Sequence, residues 1–196
     1  FIKYNWTFLR QVTGKGTIVA ESKTGKTVGH PTKLLELMAP ETPDVNKTDI
    51  KNSGASTPLA GSFITARDYF LGNLSGLNSP ITHACQKNFV LVATDGQPSV
   101  DVTGRVYTSS ELSNATTGKA FTDLYDQIQS LHSVNYNSRN YDIQTFVLGT
   151  GDVTKNSVSL QGLHNMALHG GTNTALIAND ATAMMNSFQA IVDDIQ

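Results

Sequence analysis

Apolar residues along the chain form either short continuous runs or stripes with helical spacing. Two runs, residues 88–94 (NFVLVAT) and 142–148 (DIQTFVL), are typical of strands that are buried on both faces of a parallel sheet. A shorter run lies at 174–178 (TALIA). Helical spacing occurs before, between and after these runs, at 58–74, 119–134, 158–169 and from about residue 180 onward. The alternation predicts an α/β fold of the Rossmann-like kind, with a mostly parallel sheet and helices on both faces.

The first part of the chain has a different pattern. Residues 4–13 and 17–22 are rich in β-branched and aromatic side chains, and residues 14–16 (GKG) between them favour a tight turn. We therefore expect an antiparallel hairpin at the edge of the sheet. A short helix is predicted at 31–38, and a long polar loop at 40–56.

Composition narrows the class of protein. The 196 residues suffice for one ordinary domain, and 39% hydrophobic residues exclude a disordered chain. The net charge is −2 and basic residues do not cluster, so nothing favours nucleic-acid binding. No apolar stretch approaches the roughly 20 residues that span a bilayer. A low charged fraction of 15%, with Ser, Thr, Asn and Gly as the other polar residues, suits an extracellular or cell-surface protein.

Two further features concern the context of the chain. It begins with Phe1 rather than Met, and we expect it to be a piece of a longer protein. Its single cysteine, Cys85, has no partner for a disulfide within the chain. Two alternatives stay open for it: a small buried thiol, or a disulfide to a cysteine outside this chain in an oxidising compartment.

A candidate site follows from where the strands end. Asp95 comes directly after the apolar run at 88–94, and Thr57 precedes Pro58 at the start of a helix. In open α/β sheets, ligands bind beyond the carboxyl ends of the strands. A carboxylate and a hydroxyl that meet there suit a hard divalent cation such as Mg²⁺. The simpler alternatives are a turn aspartate before Gly96 and a helix-capping threonine.

The same residues carry a family resemblance. Residues 56–60 (STPLA) resemble the threonine loop of von Willebrand factor A domains, residues 90–96 (VLVATDG) their strand end, and residues 142–151 their next strand. More narrowly, four stretches resemble the A domain of PilC/PilY-type pilus-tip adhesins: residues 39–52, the TPLAGSFITARDYF segment from Thr57, CQKNF from Cys85, and 164–188. The resemblance covers most of the chain as a single domain.

The resemblance implies a metal-ion-dependent adhesion site with Thr57 and Asp95 among its ligands. The family's other ligands come from an Asp-x-Ser-x-Ser motif on a first strand. This sequence lacks that motif, and we expect the strand to lie upstream of Phe1, so the site in this chain is partial. The implied protein is a binding module and not an enzyme. Its location is extracellular, at the tip of a type IV pilus.

The partners that the resemblance implies are other pilus-tip proteins, such as minor pilins, or a ligand on a host or other surface. Loops near Ser56 and Gln97 flank the predicted crevice and are the candidate contact regions. One alternative is a metal-free structural or force-bearing domain of the pilus tip. Another is a nucleoside triphosphatase, since residues 20–27 (AESKTGKT) fit a relaxed phosphate-loop pattern. Ala20 replaces the first glycine of that pattern, and Pro31 interrupts the helix that should follow.

Overall fold

A computed structural model describes residues 7–12, 15–21 and 56–195. For the first two segments it describes the backbone alone. The predicted helix at 31–38 and nearly all of the predicted loop at 40–56 lie outside the described residues. So do residues 22–27 of the phosphate-loop pattern, whose first two residues, Ala20 and Glu21, belong to a strand.

The described chain alternates strands and helices, as the apolar pattern predicts. The strands are β1 (Thr7–Val12), β2 (Lys15–Glu21), β3 (Asn88–Thr94), β4 (Ser133–Tyr136), β5 (Arg139–Thr150) and β6 (Leu176–Ala178). The helices are α1 (Leu59–Phe70), α2 (Ser109–Leu112), α3 (Lys119–His132), α4 (Ser157–His169) and α5 (Ala181–Ile195), with a 3₁₀ turn at Gly151–Lys155. The chain is therefore α/β.

The larger sheet is open and mostly parallel, with β5 at its centre. On one side of β5, the whole length of β3 pairs with it in parallel, from Asn88 opposite Ile143 to Thr94 opposite Gly149. On its other side β5 pairs antiparallel with β4 and, further along, in parallel with β6. Among the described strands β3 has only β5 as a neighbour, so it forms one edge of this sheet.

The predicted N-terminal hairpin forms, but its predicted place is wrong. β1 and β2 make a two-stranded sheet of their own, and the two residues between them allow antiparallel pairing only. In the described part of the chain, the antiparallel strand of the larger sheet is β4 instead. β4 arises because Asn137 and Ser138 both adopt positive φ, 49° and 62°, which produces the tight turn into β5.

One hydrophobic core lies between the sheet and helices α1, α3 and α4. Side chains at helical spacing on α3 are fully buried, because that helix packs against α1, α4 and β5. β5 contributes alternate residues to the same core, as a strand with one face on it must. Its buried members include Leu59, Phe63, Phe121, Leu124, Ile128, Leu131, Ile143, Val147, Leu163 and Met166.

β3 is less buried than its sequence predicts. An unbroken apolar run predicts burial on both faces, yet residues 89–92 are half-buried and Ala93 is exposed. Val90 and Val92 pack against the core from its margin. The difference follows from the position of β3 at the edge of the described sheet.

Gly162 sets how closely α4 approaches α3. A Cβ at this position would lie 2.4 Å from Cε1 of the buried Phe121 ring. We expect Gly162→Ala to lower the free energy of unfolding by about 1–2 kcal/mol, since the overpacking outweighs the gain of about 1 kcal/mol in helix propensity. Urea denaturation measures the change. Gln161→Ala, on the exposed neighbour, is the control, and a stabilised Gly162→Ala protein would contradict this packing.

Candidate functional site

The carboxyl ends of the parallel strands form one rim of the sheet. Asp95 follows β3 at this rim, and the 3₁₀ turn that begins at Gly151 follows β5. Gly151 and Asp95 lie side by side: a Cβ built on Gly151 would lie 3.7 Å from the Cβ of Asp95. Gly151 has a φ of +62°, a conformation that few residues other than glycine adopt without strain. A small residue at this point leaves the Asp95 side chain room beside the end of β5.

The turn that carries Asp95 is held by the residue before it. The buried Thr94 hydroxyl donates to the Gly96 carbonyl at 3.0 Å and accepts from the Gly96 N–H at 3.2 Å. Because both bonds close around Asp95, the turn is fixed while the carboxylate stays exposed. Within the described residues this carboxylate has no hydrogen bond and no ion pair.

Thr57 is held at the same rim by Ser99. The Thr57 N–H donates to the Ser99 Oγ at 2.5 Å, and the Ser99 N–H donates to the Thr57 carbonyl at 3.1 Å. The Thr57 Oγ1 would lie 3.0 Å from a Cβ on Gly96. The structure thus brings the Thr57 hydroxyl beside the residue that follows Asp95, and a Cβ at position 96 would crowd this hydroxyl.

The Thr57 hydroxyl does not cap α1. The capping position is Pro58, which has no side-chain hydrogen bond, and the Thr57 carbonyl accepts the Leu59 N–H at 3.0 Å. The alternative of a helix-capping Thr57 is therefore wrong. In the described part of the chain its hydroxyl has no hydrogen-bond partner, so it is available to a ligand.

The two oxygen donors that the sequence predicts at this rim suit a hard cation in kind. They are the Asp95 carboxylate and the Thr57 hydroxyl; Mg²⁺ prefers such oxygen ligands and keeps several waters. No group of three or more His, Cys, Asp or Glu side chains suited to a metal ion occurs among the described residues. A cation held here would take its remaining ligands from water, from a partner, or from other parts of the protein.

The two loops expected to contact a partner differ in what the structure describes. Ser56 is exposed beside Thr57, and the residues before it lie outside the described part. Gln97 is half-buried and its Nε2 donates to the Ser159 Oγ at 2.5 Å, which ties the loop to α4. Gln97 thus serves to anchor its loop, and the surface that could meet a partner lies further along it.

That surface is ordered by an ion-pair network that the sequence analysis missed. The Asp101 carboxylate accepts the Thr103 N–H at 2.9 Å, the Thr103 hydroxyl at 2.7 Å and Arg105 Nε at 2.9 Å. These bonds keep the pKa of Asp101 low, at about 2, with the Thr103 hydroxyl as the largest cause. An Asp-x-Thr sequence before a glycine favours such a turn and could have predicted it.

Arg105 continues this network to α2. Its guanidinium donates to both Glu111 carboxylate oxygens, at 3.1 and 3.0 Å, and mainly for this reason the pKa of Glu111 is lowered to about 2. Thr108 and Glu111 form a reciprocal capping box at the start of α2. The Thr-x-x-Glu spacing is a recognised sequence feature of helix starts, so α2 was predictable.

Cys85 is exposed in the loop before β3. The alternative of a small buried thiol is therefore wrong. A disulfide to a cysteine outside this chain stays a prediction, and the exposure of the thiol leaves it accessible for one.

Comparisons with known proteins identify no relative. A scan against protein-family models, a search of curated proteins and a search of solved structures each give no match to this chain. Among the described residues, no helix combines the length and the apolar character needed to cross a bilayer. The structure establishes an α/β fold with a mostly parallel open sheet, and any narrower family assignment is a proposal.

We expect Ser99→Ala to destabilise the protein, since it removes the acceptor of the Thr57 N–H. The free energy of unfolding should fall by about 0.5–1.5 kcal/mol, the contribution of one hydrogen bond. Urea denaturation measures it. Ser157→Ala is the control, because Ser157 is exposed on α4 and its side chain makes no hydrogen bond with the described residues. Equal stability of the two variants would show that the Thr57–Ser99 bond contributes nothing.

The Asp101–Arg105–Glu111 network predicts an acid-sensitive loop. Both carboxyl groups have folded-state pKa values below their unfolded values, so they stabilise the fold above about pH 4.5. This contribution is lost as the pH falls from there to about 2. The midpoint urea concentration of unfolding should therefore fall between pH 4.5 and 2. We expect this fall to be smaller in Arg105→Met than in wild type.

Lys155→Met is the matched control for that measurement. It breaks the Lys155–Asp152 ion pair, whose side chains are 77% and 90% exposed, and exposed pairs contribute little. The account of the loop fails if Arg105→Met and wild type lose stability in parallel between pH 4.5 and 2.

Proposed function

We propose that this chain is a binding module of the von Willebrand factor A type that acts in adhesion or assembly at the cell surface, at the tip of a type IV pilus. One observation carries the proposal: the Asp95 carboxylate and the Thr57 hydroxyl lie at the same rim of the sheet, and neither has a partner among the described residues. Such a pair of exposed oxygen donors at the carboxyl ends of parallel strands favours a ligand site.

In this proposal the ligand is bridged by Mg²⁺ or another divalent cation. Asp95 holds the cation through its carboxylate and Thr57 through its hydroxyl, directly or through water. The cation supplies an electrophilic position at which a carboxylate of the partner binds. The protein's own part is to keep the two oxygens in place, through Thr94 around the Asp95 turn and Ser99 on Thr57. No covalent bond is made or broken.

The pilus-tip context rests on the sequence resemblance. The partners proposed on that basis are other tip proteins, such as minor pilins, or a ligand on a host or other surface. The loop from residue 97 to 118 supports this role, because its ordered turn at Asp101 extends from the same end of β3 that carries Asp95. A preorganised loop loses little entropy when it binds.

Thermal unfolding with and without MgCl₂ or MnCl₂ tests the cation. If the folded state alone binds the divalent cation, a cation concentration of 100 times Kd adds about 2.7 kcal/mol to the free energy of unfolding and raises Tm. Asp95→Ala and Thr57→Val should each remove most of this rise without changing the circular dichroism spectrum. Asp126→Ala, on an exposed aspartate of α3, is the control and should keep it. A rise that survives Asp95→Ala would refute this assignment.

A metal-free structural or force-bearing domain of the pilus tip is the second candidate. The observation in its favour is that no group of three or more acidic, histidine or cysteine side chains suited to a metal ion occurs among the described residues. For this candidate, divalent ions leave Tm unchanged in wild type and in Asp95→Ala alike.

A further inference from the structure

The turn after β5 borders the Asp95 side chain. A Cβ built on Gly151 would lie 3.7 Å from the Cβ of Asp95, so the bare main chain of Gly151 lies against this aspartate. The Asp95 carboxylate has no hydrogen bond of its own within the described residues. Its direction therefore depends on the residues that border it, and Gly151 is one of them.

The position of Gly151 is held by Thr154. Gly151 is exposed, has a φ of +62° and has no side chain to restrain it, and glycine is free to adopt many main-chain conformations. The Thr154 hydroxyl donates to the Gly151 carbonyl at 2.8 Å and so closes the 3₁₀ turn. Val153, between the two, is buried in the hydrophobic core and anchors the turn from below. Thr154 thus fixes the residue that borders Asp95.

The same hydroxyl contacts the residue that follows β6. Thr154 Oγ1 lies 2.8 Å from Asn179 Oδ1. A hydroxyl has one proton, so it donates to only one of its two neighbouring oxygens at a time. With the Asn179 carboxamide turned over, its Nδ2 donates to Thr154 Oγ1, and both bonds hold together. The ends of β5 and β6 are thereby joined at the rim that carries Asp95.

Asn179 is not needed to start the helix that follows it. Asp180 caps α5, because its Oδ1 accepts the Ala183 N–H at 2.8 Å and its carbonyl accepts the Met184 N–H at 3.0 Å. The Asn179 side chain is exposed. Because water competes for exposed polar groups, its bond with Thr154 adds little to the free energy of unfolding, and its removal should leave the fold intact.

We propose that Thr154 is a positioning residue of the cation site at Asp95 and Thr57, and that Asn179 supports it. Thr154 holds Gly151 against the Asp95 side chain, so the carboxylate keeps the direction in which it meets a cation together with the Thr57 hydroxyl. Ligands that are already in position lose less conformational freedom when the cation binds, which raises the affinity. This inference rests on the proposed function.

Three hydroxyl side chains then support the two proposed ligands. Thr94 bonds around the Asp95 turn, Ser99 accepts the Thr57 N–H, and Thr154 holds the turn beside Asp95. None of the three is itself a proposed ligand. The loss of one of them should therefore weaken cation binding without abolishing it.

Titration with Mn²⁺, followed by the electron paramagnetic resonance signal of the free ion, tests the role of Thr154. Thr154→Val keeps the shape of the side chain and removes the hydroxyl, so the Kd for Mn²⁺ should rise roughly two- to tenfold. Thr154→Ser keeps the hydroxyl and should restore the wild-type Kd. All variants are compared where circular dichroism shows them fully folded, so a loss of stability alone does not change the Kd.

Thr122→Val is the matched control. Like Thr154, Thr122 donates its hydroxyl to the carbonyl three residues before it, at 3.2 Å, but it does so within α3. The Kd for Mn²⁺ should stay at the wild-type value in this variant. A Kd that rises equally in Thr154→Val and Thr154→Ser would show that the hydroxyl is not the cause, and the inference would be wrong.

Asn179→Ala keeps the test decisive if Thr154→Val does not fold. It removes the bond to the end of β6 and leaves the bond from Thr154 to Gly151, so we expect a smaller rise in Kd, roughly twofold. A wild-type chain that binds Mn²⁺ with the same Kd as the folded variants of Thr154 and Asn179 would overturn this inference and leave the cation site standing. A wild-type chain that binds no Mn²⁺ would overturn the proposed function and this inference with it.

Discussion

The reciprocal hydrogen bonds between Thr57 and Ser99 are the constraint on which the rim of this protein depends. Thr57 precedes α1 and Ser99 follows β3, so these bonds join two segments that are far apart in sequence. The Thr57 hydroxyl takes no part in these bonds and has no hydrogen-bond partner among the described residues. Gly96 then allows that hydroxyl to approach the Asp95 turn. The proposed site follows from a packing constraint before any ligand is considered.

A second constraint, the Thr94 hydroxyl, acts on the other half of the rim. It is buried and bonds to both the C=O and the N–H of Gly96, whereas the Asp95 carboxylate makes no hydrogen bond with the described residues. The simple alternative for Asp95, a turn-forming aspartate, would require its carboxylate to bond the turn. That role belongs to Thr94, and the exposed Asp95 carboxylate is free for another one.

The apolar pattern predicts most of the strands and helices. It does not predict the features that depend on tertiary contacts. β3 has the bounds that the run NFVLVAT predicts, and α3 follows its stripe of Phe121, Leu124, Ile128 and Leu131. β4 was missed, because its four residues carry little periodicity and depend on the turn at Asn137. The Thr57 cap was also wrong, since no local pattern reveals that Ser99 binds the Thr57 N–H. For Asp95, the sequence predicts a position at a strand end and a meeting with Thr57 at the same rim, and the coordinates place the Thr57 hydroxyl beside Gly96.

The central claim is that Asp95 and Thr57 hold one divalent cation at the rim, and paramagnetic broadening by Mn²⁺ tests it most directly. In amide NMR spectra of the ¹⁵N-labelled chain, substoichiometric Mn²⁺ should broaden the signals of Thr57, Asp95 and Gly96 first. The signals of Asn88, at the start of β3, and of Asn135, which pairs with Asn140 near the start of β5, should stay sharp. Broadening that is absent from the rim, or that is uniform over the sheet, would contradict the account.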